Sequence, residues 1–153
     1  MKLTTKLTAL AAAALLTASL AGCGSVSTNQ TLTYQVDNGE KLKITLDTTD
    51  GESLEQKENR PVVKKDDETV LEMAILMPEG YTDKEAAIRG TEGAEIVKDE
   101  DGILSCTYDG PAGLEVDYLL KLEGSELGVF LSSLSTQEVA DATFAKLSFE
   151  LTE

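Results

Sequence analysis

The chain of 153 residues contains no histidine and no tryptophan. Without histidine, neither a Ser-His-Asp nor a Cys-His nucleophilic site can be assembled, and the usual histidine-bearing zinc sites are excluded. No Ser-x-x-Lys dyad, Walker loop or G-x-G-x-x-G turn occurs either. Aromatics are few, four Tyr and three Phe, so a carbohydrate site would lack its usual stacking platforms. Positive charge is scarce as well. Thirteen Lys and Arg face 28 Asp and Glu, a formal net charge of −15. Such a surface repels nucleic acid and anionic lipid headgroups. It attracts cations, basic peptides and basic protein faces. No hydrophobic run reaches the ~20 residues of a membrane-spanning helix.

What is present begins at the N-terminus. Lys2 and Lys6 precede an apolar stretch from Leu7 to Leu20, the length of a signal-peptide core. It ends in Leu20-Ala21-Gly22-Cys23, which resembles the lipobox of bacterial lipoproteins. The resemblance implies cleavage between Gly22 and Cys23, acylation of the Cys23 sulfur, and attachment to the extracytoplasmic face of a membrane, an outer membrane where the cell has one. Residues 1–22 are then a signal peptide, 23–30 an acylated cysteine with a flexible tether, and 31–153 a single acidic domain. Processing removes two lysines and no acid, leaving 28 acids against 11 bases. With Cys23 acylated, Cys106 is the remaining thiol and no intramolecular disulfide can form. It lies in the apparent strand Ile103–Tyr108, where a small buried hydrophobe is expected. The tether of small polar residues reaches at most about 25 Å, so the domain stays close to its membrane.

Alternation of apolar and polar residues predicts strands over 31–36 and 41–47, joined at Asn38-Gly39, the strongest short hairpin signal. Asp47 to Arg60 reads as a loop. Pro61 to Lys65 predicts a short strand, and the apolar run Thr69 to Met77 a buried central one. Thr82 and Glu85 have the spacing of a capping box, which predicts a short helix over 83–89 ending at Gly90. Hairpins follow over Ala94–Lys98 and Ile103–Tyr108, and over Leu114–Leu122 and Leu127–Leu134. The second capping box, Ser135 to Glu138, opens a longer helix over 136–146, and a terminal strand runs from Leu147 to Leu151. The sum is an α+β fold, an antiparallel sheet of hairpins covered by a short helix and a longer near-C-terminal one. This order over residues 31–152, closing on a helix and a strand, resembles the PsbP-like fold. That resemblance implies a curved antiparallel sheet flanked by helices and assigns no functional residue.

Carboxylates are the chemistry that remains. Paired acids serve glycosidases when two carboxyls flank a cleft, but 28 acids make close pairs a matter of chance. Clustered oxygens suit calcium; Asp99, Glu100 and Asp101 in one turn are the candidate ligands, and Asp47 and Asp50 lie in another turn beside Glu52, although neither segment has the EF-hand spacing. The two arginines, Arg60 and Arg89, suit carboxylate recognition or a surface ion pair. The expected function is therefore a lipid-anchored, non-catalytic binding or assembly module, monomeric, without cofactor or nucleic acid, and with a basic protein partner. The alternative is a small-ligand or calcium-binding lipoprotein that assists a transporter.

Overall fold

The computed structural model describes residues 28–36 and 39–152. Cys23, the signal sequence before it and the Asp37-Asn38 part of the first expected turn lie outside the described residues. Among the described residues, ten strands and two helices follow in order. They are β1 (Asn29–Gln35), β2 (Lys41–Asp47), β3 (Glu52–Lys57), β4 (Arg60–Lys65), β5 (Glu68–Leu76), α1 (Pro78–Gly90), β6 (Glu95–Glu100), β7 (Ile103–Gly110), β8 (Gly113–Lys121), β9 (Gly128–Ser133), α2 (Gln137–Phe144) and β10 (Leu147–Thr152). Among the described residues no helix is long and apolar enough to cross a membrane.

The strands form two antiparallel sheets, one ordered β1-β2-β10 and one ordered β3-β4-β5-β9-β8-β7-β6. Strands make up 57% and helices 17% of the structure, so the fold is mostly β, and the expected helix-covered α+β architecture is corrected. The reason lies in what covers the large sheet. Leu32, Tyr34, Leu42, Ile44 and Leu46 of the small sheet share one buried cluster with Leu54, Val63, Leu71, Met73, Val116, Tyr118, Val129 and Leu131 of the large one. A sheet, not a helix, therefore closes this core. Each large aliphatic side chain so buried contributes ~1.5–3 kcal/mol.

The helices complete the layers. In α2, Ala140 joins the main core, and Phe144 stacks on Tyr118 with ring centroids 4.4 Å apart. The Tyr118 hydroxyl donates to Asp141. On the opposite face of the large sheet, α1 sets Tyr81 and Ile88 against Leu104, Cys106, Leu119 and Phe130. Tyr81, Lys84 and Ile88 recur at helical spacing, so one stripe of α1 meets the sheet. A Cβ at Gly128 of β9 would overlap the Tyr81 ring, which is why glycine stands there.

Both helices differ in length from expectation, and the order reverses: α1 has 13 residues and α2 eight. Helix α1 starts a turn before Thr82, with Pro78 in its first turn, where proline loses no helical hydrogen bond. Thr82 is consequently interior, and its hydroxyl donates back to the Pro78 carbonyl (3.1 Å). In α2 the cap is Thr136, whose Oγ1 accepts from the Val139 amide, not Ser135.

The expected loop over 47–60 holds β3. Its hairpin to β4 turns through Glu58 and Asn59, with φ of 49° and 65°, the left-handed pair of a type I′ turn without the glycine that usually marks one. Strand β1 also starts earlier, at Asn29, which shortens the tether. The chain enters β1 beside the β2–β3 turn, where the Thr48 hydroxyl donates to the Thr28 carbonyl (2.8 Å). The β1–β2 and β3–β4 turns lie at the far end of their strands.

Candidate functional site

Register brings together residues far apart in sequence. Antiparallel pairing aligns Glu55, Val62, Glu72, Ser132, Asp117, Cys106 and Ile96 in one row across all seven strands. Directly opposed residues share a face, and Cys106 beneath α1 identifies it as the face opposite the small sheet. Glu115 and Tyr108, opposed to each other, stand one row along on that face. Helix α1 covers only part of it. Beside the helix a groove of about 310 Å³ is left, with Val70, Ala112 and Leu134 as apolar lining and Glu72, Glu115 and Ser132 as polar lining.

The electrostatics of this groove are one-sided. Ser132 Oγ donates to Glu115 Oε1 at 2.9 Å. Asp117, opposite Ser132 in register, is 5% exposed, and its Oδ1 has no hydrogen-bond partner. Burial pushes the Asp117 carboxyl up to about 6; the Glu115 charge adds to the rise, while the Ser132 hydroxyl and Lys84 oppose it. Lys84 reaches from α1, but its ammonium lies over the Phe130 ring, 4.0 Å from the centroid. Tyr108 is likewise raised, by burial first and then by its hydrogen bond to Glu115. Burial pushes the Cys106 thiol up to about 11, with Asp117 and Glu115 adding to it. A thiol so held is protonated and a poor nucleophile.

Carboxylates separated by a hydroxyl, on a half-apolar floor, suit a positive group with an aliphatic stem. Among the described residues no group of three or more His, Cys, Asp or Glu is placed to hold a metal ion. A donor of N–H bonds such as a lysine ammonium or an arginine guanidinium would fit this arrangement.

The calcium candidates sit elsewhere, at the β6–β7 turn. Asp99 is held by Arg89 through two bonds, Nη1 to Oδ2 at 2.8 Å and Nη2 to Oδ1 at 3.1 Å. These bonds draw the Asp99 carboxyl below its ordinary range. Glu100 lies 3.9 Å from Lys98, and Asp101 occupies the turn itself with φ 55°. Arg89 also pairs with Glu85, the surface ion pair expected of both arginines, whereas Arg60 makes none among the described residues. Cys106 is 1% exposed in β7, and Cys23 is outside the described residues.

Sequence reasoning passed over Glu72, Glu115, Asp117 and Ser132. One local signal existed. In Leu114-Glu115-Val116-Asp117-Tyr118-Leu119 the alternation puts two acids on the same face as Leu119, a polar break in an otherwise apolar strand surface. No family model, curated protein or solved structure was found to match this chain.

Proposed function

We propose that this protein is a non-catalytic binding module, tethered to the extracytoplasmic face of a membrane by lipid on Cys23, which docks a basic protein partner in the groove beside α1. The observation that carries the docking half is Asp117: a carboxyl 5% exposed, with one oxygen unpartnered, under a groove edged by Glu72 and Glu115. Buried polar groups without partners are rare in folded proteins, and a buried carboxylate costs more still. A lysine or arginine side chain of the partner would pair with Glu72 and Glu115 above the buried Asp117, while its methylenes lie on Val70 and Leu134. The support for anchoring is the sequence Leu20-Ala21-Gly22-Cys23 behind a charged and then apolar leader.

Two experiments separate the halves. Cys23→Ala should shift the protein from the membrane pellet to the soluble fraction; a variant that still sediments with membranes removes the anchoring claim. For docking, a photo-crosslinker at Thr69, on the groove margin, should capture one dominant partner in intact cells. Glu72→Lys with Glu115→Lys should abolish that adduct, and capture that persists through both reversals removes the docking claim.

A further inference from the structure

A second groove, of about 190 Å³, opens at the end of the molecule away from the tether, where β1 meets β4 and β5. Its lining includes Tyr34, Val36, Arg60, Pro61, Met73 and Ile75. Tyr34 is 1% exposed, yet its hydroxyl has no hydrogen-bond partner. Burial alone pushes that hydroxyl up to about 12, so it remains a donor throughout the physiological range. A donor held inside an apolar wall with nothing to donate to is costly, unless an acceptor comes from outside.

Charge at the mouth points the same way. Arg60 stands directly opposite Lys57 at the foot of the β3–β4 hairpin, and like charges so placed destabilise a strand pair. Neither makes an ion pair among the described residues, whereas Lys43, Lys64, Lys65, Arg89, Lys98 and Lys146 all do. Lys41, Lys84 and Lys121 likewise make no ion pair among the described residues, but of these unpaired cations Arg60 is the one on the lining of this groove. Glu58, in the turn between Lys57 and Arg60, pairs with neither. The intervening Glu58 and Asn59 both adopt positive φ, as a two-residue hairpin requires.

We propose that this groove binds a small organic carboxylate. Its apolar part lies against Pro61, Met73 and Ile75, and its carboxylate accepts from the Arg60 guanidinium and the Tyr34 hydroxyl. The ligand class follows from the wall as much as from the mouth: an inorganic anion would leave the apolar lining unused, and an organic cation would face Arg60. This inference is independent of the groove beside α1, and either can fail without the other.

The test uses the full-length protein in lipid nanodiscs, with empty nanodiscs as blank, titrated with hexanoate by calorimetry. Hexylammonium and inorganic phosphate are the comparison ligands. The expected result is saturable one-to-one binding of hexanoate alone. Arg60→Gln should weaken it about tenfold or more, the size expected for losing a charged hydrogen bond, and Tyr34→Phe several-fold. Tyr34→Phe should also raise the melting temperature of the ligand-free protein, because it deletes the unpartnered hydroxyl and keeps the ring. Absence of saturable hexanoate binding overturns the proposal. So does equal binding of hexylammonium or phosphate, or hexanoate affinity unchanged in Arg60→Gln.

Discussion

Glu52 and Asp117 are buried to the same degree, 5% exposed each, and each keeps one oxygen without a partner, but the other groups around them are opposite in kind. At the tether end Glu52 of β3 accepts from Lys146 at 2.8 Å and from Lys65 at 3.4 Å, and Lys146 also meets Asp50 at 2.6 Å. Burial works to raise the Glu52 pKa, but bonds from Lys146, its own backbone and Lys65 outweigh it, so the carboxyl is held below its ordinary range. This corner ties β3 and β4 of the large sheet to the α2–β10 junction, and so joins the two sheets. Asp117, on the opposite face of the large sheet, has a hydroxyl and a second acid as neighbours, and its carboxyl is raised. Where a buried acid holds the fold together, the chain provides the lysine. Under the groove the nearest lysine, Lys84, opposes the rise from a distance with its ammonium over the Phe130 ring, which leaves room for the partner's cation that the proposed docking requires.

The comparison breaks most visibly at Lys146. Lys146→Ala leaves Glu52 buried with only the longer Lys65 contact, and should cost about 3–5 kcal/mol in urea unfolding, as removal of one partner from a buried pair does. A loss below about 1 kcal/mol would mean that the corner is no more than a surface pair. Asp117→Asn should act in the other direction, stabilising the protein at pH 7 by on the order of 2–3 kcal/mol. The sign follows from linkage. With a folded value near 6 and an ordinary value of 3.8, Asp117 binds protons more readily folded than unfolded. Wild-type stability therefore falls as pH rises through that window, and the gain from Asn is full above about pH 6 and gone below about 4. Glu52, depressed from 4.5, contributes stability that is present above that value and lost as pH falls through its folded value. Urea titrations of both variants between pH 3 and 8 should thus diverge, and parallel curves would erase the contrast.

Smaller effects sharpen it. Thr136→Ala removes the α2 cap without touching either carboxylate's hydrogen-bond partners, and should cost about 1 kcal/mol at every pH from 4 to 8. A pH-dependent loss there would show that the two carboxylates are not the source of the contrast. Lys43, paired at 3.5 Å with Glu150 across the exposed β2–β10 ladder, is the control for Lys146. Its replacement by Ala should change stability by less than about 1 kcal/mol.

The hairpins were legible because each strand alternates about a recognisable turn. Leu42, Ile44 and Leu46 are all fully buried, as their spacing of two requires. Strand β3 was not, because Glu52-Ser53-Leu54-Glu55-Gln56-Lys57 has one apolar residue, and the turn after it contains neither glycine nor proline. The capping-box pattern at Thr82 misled because Pro78 is an equally good helix start one turn earlier. The covering layer depended on a pairing invisible to local pattern: β10 joins β2 across about a hundred residues, and so builds a second sheet where helices were expected. The groove was hidden for the same reason. Glu72 and Asp117 both flank Ser132 in register only because β5 skips α1 and three strands to pair with β9. Strand patterns show which face a residue takes, but not which distant strand lies beside it.

The most direct test of the central claim is calorimetric titration of pentalysine into the full-length protein at pH 6, as wild type and as two variants of equal charge. The account predicts saturable one-to-one binding with proton release, because a bound ammonium favours ionised Asp117. It predicts loss of that binding in Glu72→Gln/Glu115→Gln and retention in Glu95→Gln/Glu123→Gln. Equal weakening in both variants, or none in either, would show that pentalysine senses only the diffuse negative surface, and would contradict the assignment of the groove as a docking site.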